Sequence, residues 1–187
     1  GRDALIFGMI GNFYTAPLKD QFTVCRALPD VLNRFPDAHF VFAGRAEENS
    51  DLEKCISFCR SHKIDDRVHF LGGRKDIADI LRSLNVFVLS TRHEGLAISA
   101  IEAMLVKVPT ILSDIAPLME VSQNGDFAKI FKTHNAEDLA EKMIELAEDE
   151  ELRKDLASRA YDFAKNTFSI ETHIGALKQL YERIVTQ

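Results

Sequence analysis

Two glutamates, Glu94 and Glu102, lie eight positions apart in the segment HEGLAISAIEAM that covers residues 93–104. The apolar run Val86–Leu89 ahead of this segment predicts a buried strand, and the apolar spacing from Ile98 onward predicts a helix. A helix that begins at the carboxyl end of a parallel strand presents unpaired N–H groups and the positive end of its dipole, which together bind phosphate. The two glutamates therefore flank a predicted phosphate site.

Carboxylates beside a phosphate site indicate a ligand that carries more than phosphate. A carboxylate accepts hydrogen bonds from sugar hydroxyls and often accepts two at once. A ligand with phosphates in the middle and a sugar on each side is a nucleotide sugar. Taken singly, Glu94 or Glu102 is better explained by helix-dipole complementation or by a solvated position on an amphipathic helix. The pair, with a strand, a turn and a helix around it, is what favours the nucleotide-sugar hypothesis.

Length and composition limit the possible classes of protein. The 187 residues suffice for one domain with a sizeable core, and 46% hydrophobic with 28% charged residues is typical of a globular chain. The net charge of −6 argues against a nucleic-acid scaffold, although it leaves room for one nucleotide in a local pocket. No apolar run approaches the ~18 residues of a membrane span, and no signal-peptide pattern is present. Because Gly1 and Arg2 directly precede a strand-like run, we expect a piece of a longer protein.

The three cysteines, Cys25, Cys55 and Cys59, form no disulfide framework and indicate a reducing compartment. Cys55 and Cys59 lie four residues apart on a predicted helix, but no further zinc ligands are close in sequence. We therefore expect core cysteines and no metal site.

Strand-like and helix-like stretches alternate along the chain. Strands are predicted at 4–10, 39–43, 67–71, 86–89, 109–112 and 129–131. Helices are predicted at 20–34, from 50 or 51 to 62, at 76–84 and 99–106, and then, as a helical tail, from 135 through 146, at 149–167 and at 169–184. The alternation predicts an α/β, Rossmann-like, doubly wound parallel sheet of about six strands, forming one domain over residues 1–187. Ligands of such sheets bind at the carboxyl ends of the strands, near the switch point.

Several motifs that would indicate other chemistry are absent. The first predicted strand is not followed by G-x-G-x-x-G, and the chain has no phosphate-binding G-x-x-x-x-G-K-[ST] and no G-x-S-x-G. No D-x-D pair lies at a strand end to hold a metal on a diphosphate. A bound diphosphate must then be neutralised by backbone amides and by a few cations, for which Lys19 and Arg45 are the candidates.

The paired-glutamate motif carries a family resemblance. Glu94 and Glu102 form a Glu-x7-Glu motif, followed by Ala103-Met104 and then by Pro109. Segments 70–72, 117–120, 124–125 and the tail with Tyr181 fit the same pattern. The chain thus resembles the carboxyl-terminal, donor-binding domain of the group 1 (family 4) retaining glycosyltransferases, which have the two-domain GT-B fold.

The resemblance implies a role for each matching residue. Glu102 would bind the ribose hydroxyls, Glu94 would bind the donor sugar, and Lys19 would neutralise the departing phosphate. The amides of the turn would cradle the diphosphate, and the loop around Gly72 would lie near the base. Glu94 and Lys19 are thus the implied catalytic residues, and the implied donor-binding residues are Gly11, Asn12, Arg45, Gly72, Glu94, Gly95, Leu96, Ala97, Ile98 and Glu102.

Two departures from the family pattern affect this site. Asn12 stands where the family often has an arginine that contacts the diphosphate, and Ala97 stands where glycine or proline is common. Arg45 is expected to substitute for the missing arginine by reaching across from the next strand end.

The implied reaction is retaining transfer of a sugar from a nucleoside diphosphate, such as UDP or GDP, to a hydroxyl acceptor, with no cofactor and no metal. The acceptor would be a saccharide or lipid-linked saccharide in surface polysaccharide or glycolipid synthesis. The enzyme would be cytoplasmic, with contact to the inner membrane face only through an amino-terminal acceptor domain that this chain lacks. The isolated chain is therefore expected to be inactive. The alternative is a non-catalytic nucleotide-sugar-binding module or subunit that needs a partner.

The last predicted helix has an apolar face, formed by Phe168, Ile174, Leu177, Leu180, Tyr181 and Ile184. Part of this face is expected to pack on the domain's own sheet. By family resemblance, its far end would cross to the acceptor domain.

Overall fold

The central sheet has six strands, all parallel. The computed structural model describes residues 4–16 and 18–185. Its strands are β1 (Ile6–Ile10), β2 (His39–Ala43), β3 (Val68–Phe70), β4 (Val86–Leu89), β5 (Thr110–Ser113) and β6 (Lys129–Phe131). They are arranged in the order β3-β2-β1-β4-β5-β6, so the direction of winding reverses between β1 and β4. This confirms the predicted doubly wound sheet and locates its ligand crevice at the carboxyl ends of these two strands. The hypothesis that the sequence is a piece of a longer protein was based on Gly1 and Arg2, which lie outside the described residues.

Eight helices connect and follow the strands within the described residues. They are α1 (Gln21–Arg34), α2 (Leu52–Ser61), α3 (Ile77–Ser83), α4 (Ile98–Leu105), α5 (Ala116–Val121), α6 (Ala136–Glu148), α7 (Glu150–Phe168) and α8 (Ile170–Val185). Asp20, Asn135 and Asp149 cap α1, α6 and α7, because their side chains accept hydrogen bonds from first-turn amides. The sequence did not predict α5, because six residues are too few to show a helical period.

The predicted elements agree with the observed ones to within one or two residues at most ends. Strand β3 is shorter than the predicted 67–71, but the pairing with β2 continues past it. Phe40 N–H donates to Arg67 O and Leu71 N–H donates to Phe42 O, each at 2.9 Å. The sequence predicted that Ser50 or Asp51 caps α2. The N-cap is Asp51, but its side chain makes no capping hydrogen bond.

The core lies on both faces of the sheet, as expected for strands that are continuous apolar runs. Every residue of β4 and of β5 is buried. Helices α1, α2 and α6 pack together, as do α3, α4 and α7. Phe7, Phe40, Phe42, Phe87 and Phe131 are the buried aromatic side chains that project from the strands. This rigid layer holds the loops that form the crevice.

The three cysteines are free and fully buried, on α1 and α2, which confirms their prediction as core residues. Hydrogen bonding to Cys55 is the largest cause of a raised pKa at Cys25 and, with burial, keeps that thiol protonated. Within residues 4–16 and 18–185, no group of three or more His, Cys, Asp and Glu side chains is arranged to hold a metal ion.

Helix α8 lies outside the core. It packs against α7, and none of its residues is buried. Of the predicted apolar face, Phe168 lies at the end of α7 and packs against the core. The residues of that face in α8 are exposed to solvent, so the prediction that part of α8 itself packs on the sheet is wrong; they are Ile174, Leu177, Leu180, Tyr181 and Ile184. No helix in the described part of the chain is both long enough and apolar enough to cross a membrane.

Candidate functional site

The carboxyl ends of β1 to β4 and the start of α4 enclose a cleft of about 390 Å³. This volume falls in the range of small-molecule sites. We call it the strand-end cleft. It is lined by Ile10, Gly11, Asn12, Tyr14, Lys19, Ala43, Gly44, Arg45, Gly73, Arg74, Ile77, Glu94, Leu96, Ile98, Ser99 and Glu102.

An ion pair between Lys19 and Glu94 forms one end of the cleft. The two side chains are only 15% and 11% exposed, so the pair is largely shielded from bulk water. Two hydrogen bonds hold the Lys19 segment against the loop after β4, since Arg92 N–H and Thr91 Oγ1 each donate to Leu18 O at 2.9 Å. An ammonium group has three donors and a carboxylate has two acceptor oxygens. The pair can therefore still donate to a phosphate oxygen and accept from a hydroxyl.

The start of α4 presents the predicted amide cradle, shifted by one residue. The N-cap is Ala97, and no side chain caps the helix. The amides of Leu96, Ala97 and Ser99 have no hydrogen-bond acceptor among the described residues, whereas Ile98 N–H donates to Leu96 O at 2.8 Å. The amide of Ile98 is thus used in a turn, and Ser99, which the sequence did not indicate, takes its place. Such unpaired amides attract an anion.

Glu102 lies on the opposite side of this cradle from Glu94. It is exposed on α4, and its carboxylate makes no hydrogen bond or ion pair with any described residue. Together with Ile77 it also lines a smaller cavity against α3. Glu94, by contrast, lines a second cavity with Leu18 and Tyr14. The cleft therefore extends from the Lys19–Glu94 pair, past the free amides, to Glu102 and α3.

Asn12 joins the ends of β1 and β2 and does not offer a free side chain to the cleft. Its Oδ1 accepts from Arg45 N–H at 2.9 Å, and its Nδ2 donates to Tyr14 Oη at 3.3 Å. Gln21 Nε2 donates to the carbonyl of Asn12 at 3.0 Å. Each polar end of the Asn12 side chain therefore has a partner in the protein, and the side chain holds the ends of β1 and β2 together in the cleft wall.

Arg45 and Gly73 form the wall at the ends of β2 and β3. The Arg45 side chain lies directly over Gly73, where a Cβ atom would be 2.6 Å from Arg45 Cγ. Gly72, the residue predicted from the sequence, does not line the cleft; it has a φ of 66°, and its carbonyl accepts from Gly44 N–H at 2.9 Å. The carbonyl of Gly72 is thus held in the sheet edge, and the next residue faces the cleft.

Arg74 continues this wall and pairs with Asp76, the N-cap of α3. Arg74 Nε donates to Asp76 Oδ1 at 2.8 Å, and Nη2 donates to Oδ2 at 2.5 Å. This hydrogen bonding raises the pKa of Arg74 and lowers the pKa of Asp76, so both groups are charged.

The structure brings most of the predicted residues to one cleft. Gly11, Asn12, Lys19, Arg45, Glu94, Leu96, Ile98 and Glu102 line it, whereas Gly72, Gly95 and Ala97 do not. Gly95 lines the cavity of Leu18 and Tyr14 and a further cavity beside Pro117 and Phe168, and Ala97 is only 1% exposed because it packs into the core. The lining residues that were not among the predicted site residues are Ile10, Tyr14, Ala43, Gly44, Gly73, Arg74, Ile77 and Ser99. Gly44 and Gly73 follow predicted strands, and the carboxyl end of a strand is where a ligand of such a sheet binds, so their positions could have indicated them. Arg74 and Ile77 belong to no motif.

The fold and this cleft define a class: a Rossmann-like domain with unpaired amides at a helix start between two carboxylates. The sequence model of the family described as "Glycosyl transferases group 1" matches residues 2–163. The chain belongs to this glycosyltransferase family.

Among its relatives, the N,N'-diacetylbacillosaminyl-diphospho-undecaprenol alpha-1,3-N-acetylgalactosaminyltransferase of Campylobacter jejuni is 34% identical over 150 residues, which are 79% of this chain and 38% of that protein. The carboxyl-terminal domain of a group 1 glycosyl transferase, LpcC of Francisella tularensis, has a TM-score of 0.81 at 22% identity and covers 89% of this chain and 87% of its own. Anabaena HepE in complex with UDP and glucose has a TM-score of 0.87 at 20% identity, over 99% of this chain and 49% of its own.

These comparisons show the family and the fold. The chain spans about two fifths of the length of its sequence relatives, 38% and 43% of the first two.

Proposed function

We propose that this chain is the donor-binding half of a retaining glycosyltransferase that takes a sugar from a nucleoside diphosphate. The acceptor is a hydroxyl of a saccharide or lipid-linked saccharide, in the synthesis of a surface polysaccharide or glycolipid. The Campylobacter relative supports this acceptor class, since by name it acts on a diphospho-undecaprenol compound. We further propose a cytoplasmic enzyme that reaches the inner membrane face through the part that this chain lacks.

One observation carries the proposal: unpaired backbone amides lie between two carboxylates, of which one is in an ion pair and the other is not. Glu94 is paired with Lys19, whereas Glu102 has no partner among the described residues. A diphosphate on the amides of Leu96 and Ser99 would place a sugar toward each carboxylate. A free carboxylate such as Glu102 suits the two neighbouring hydroxyls of a ribose, because it accepts both hydrogen bonds.

The Lys19–Glu94 pair supports a role at the reacting end of the donor. Negative charge develops on the departing diphosphate as the bond to the sugar breaks. In this proposal the Lys19 ammonium and the α4 amides stabilise that charge, and Glu94 holds the sugar hydroxyls so that the anomeric carbon faces the acceptor. Arg45, on the wall opposite, supplies a further cation in place of the arginine that Asn12 replaces. Departure of the diphosphate needs no metal or cofactor in this proposal.

The exposed apolar face of α8 supports a two-part enzyme. We propose that Ile174, Leu180, Tyr181 and Ile184 pack on the acceptor-binding half. Relatives more than twice as long as this chain have room for that half, and contiguous exposed apolar side chains mark interaction sites.

The test is calorimetric titration of the chain with UDP, GDP and ADP, before and after Glu102→Gln. The substitution keeps the shape of the side chain but removes the charge that accepts both ribose hydroxyls. A hydrogen bond to a charged group contributes about 1.5–3 kcal/mol, and Glu102 is exposed, so we expect an affinity loss of about tenfold.

The matched control is Glu141→Gln, which changes an exposed glutamate of α6 outside the cleft. It should leave nucleotide affinity unchanged. The proposal fails when none of the three nucleotides binds, or when both substitutions have the same effect.

A further inference from the structure

Arg74 is held at the α3 side of the strand-end cleft in a fixed orientation. Asp76 accepts from its Nε and Nη2 through both carboxylate oxygens, at 2.8 and 2.5 Å. This two-point contact leaves the Nη1 hydrogens without a described partner. The Arg74 and Asp76 side chains are 45% and 41% exposed, so a ligand can reach them. Arginine has donors and no acceptor, and this part of the wall therefore offers hydrogen-bond donors.

The position of the base follows from the proposed function, on which this inference rests. With the diphosphate on the amides of α4 and the ribose at Glu102, the nucleoside extends toward α3. Glu102 and Ile77 line the cavity on that side together. The base then lies between the apolar side chain of Ile77, the bare backbone of Gly73 and the guanidinium of Arg74.

We propose that Arg74, oriented by Asp76, donates a hydrogen bond to the O4 carbonyl of uracil, and that the cleft thereby prefers uracil to cytosine. Where uracil has the carbonyl O4 beside a protonated N3, cytosine has an amino donor beside an unprotonated N3. An amino group facing Arg74 places donor against donor. Adenine presents an amino donor in the same way.

Guanine, like uracil, presents a carbonyl beside a ring N–H, so the contact with Arg74 does not distinguish these two bases. Each Asp76 oxygen that accepts from Arg74 keeps a lone pair for a further donor.

UDP and CDP are the matched ligand pair for calorimetry on the chain. We expect UDP to bind about tenfold more tightly than CDP, the lower limit for a hydrogen bond to a charged group, because the guanidinium is half exposed. Arg74→Ala should reduce UDP affinity to that of CDP. Asp76→Asn should reduce the UDP preference in part, because it loosens the guanidinium without removing it.

The control is Arg82→Ala, which removes an arginine of α3 that pairs with Asp79 at 3.0 Å and does not line the cleft. It should leave the ratio of UDP to CDP affinity unchanged.

Equal binding of UDP and CDP, or an unchanged ratio in Arg74→Ala, would overturn the inference. A chain that binds UDP with dependence on Glu102 but not on Arg74 refutes base recognition alone. A chain that binds no nucleotide refutes the proposed function as well.

Discussion

Gly44 is the point at which the strand-end cleft is most sensitive to a single methyl group. A Cβ atom on this residue would lie 2.1 Å from Gly11 O, 2.5 Å from Gly11 C and 2.9 Å from Asn12 N. All three are backbone atoms, so no side chain can rotate away. Gly44→Ala must therefore move the two strand ends apart by about 0.9 Å, from 2.1 Å to the 3.0 Å below which real Cβ contacts essentially never occur.

The cost of this movement follows from the hydrogen bonds that join the ends of β1 and β2. Gly11 N–H donates to Ala43 O at 2.9 Å, Phe13 N–H donates to Arg45 O at 2.8 Å, and Arg45 N–H donates to the Asn12 side chain at 2.9 Å. Each such bond contributes about 1 kcal/mol, and we expect two or three to be lost, a destabilisation of roughly 2–3 kcal/mol. For a chain of this length, the thermal midpoint should fall by about 4–12 °C.

Calorimetric melting and UDP titration of the same variant check both consequences. Asn12 and Arg45 line the cleft, so UDP affinity should fall together with the thermal midpoint. Gly175→Ala is the control, because a Cβ there meets nothing within 4 Å, and alanine in a helix is favoured over glycine by up to about 1 kcal/mol. The reasoning is refuted by a Gly44→Ala variant that melts within about 1 °C of wild type, since that shift corresponds to well under 1 kcal/mol. If the variant is destabilised but binds UDP normally, only the expectation that separating the ends of β1 and β2 weakens UDP binding is refuted.

Two further predictions concern the isolated chain and its acid stability. When a panel of UDP-sugars and saccharide acceptors is monitored by mass spectrometry, the chain should bind nucleotide but yield little or no transferred product, because the proposed function assigns acceptor binding to a part outside these residues; robust transfer would contradict this. Hydrogen bonds from the Thr133 hydroxyl, at 2.6 Å, and amide, at 2.8 Å, lower the pKa of Asp114. Because the folded-state pKa lies below the ordinary 3.8, this stabilisation is complete above that pH and is lost as pH falls through the lowered value. Asp114→Asn should thus lower the thermal midpoint by more at neutral pH than at a pH below 3.8. If the difference in thermal midpoint between the variant and wild type is the same at both pH values, Asp114 does not contribute this pH-dependent stability.

The sheet was predictable because its strands have a strong local signal. Each buried strand is a short apolar run that ends at a glycine or a polar residue, and a helical period follows most of them. Parallel connections of this kind leave few topologies, and the observed order is one of them. Helix α5 was missed because Pro117 and a length of six residues resemble a loop in sequence.

Half of the residues that line the cleft were predicted, but the contacts between them were predictable only within one segment of the chain. Glu94 and Glu102 belong to a single strand-turn-helix segment, so their relation is local. Lys19 meets Glu94 across 75 positions, and Arg45 meets Asn12 across 33, so these contacts depend on which strand ends become neighbours. Asn12 shows the consequence: its place in the cleft was predicted, but its role in joining β1 to β2 depends on a partner that spacing cannot indicate.

The two glutamates of the motif show why residue type alone does not define chemistry. Both lie on one segment and line one cleft, yet Glu94 is 11% exposed beside an ammonium, and Glu102 is exposed with no partner among the described residues. A shielded, paired carboxylate keeps its position when a neutral sugar binds, because Lys19 already balances its charge. An unpaired carboxylate at the surface exchanges water for two hydroxyls at little cost in desolvation. The unequal partners therefore favour a ligand whose two ends differ, with the reacting sugar at Glu94 and the ribose at Glu102.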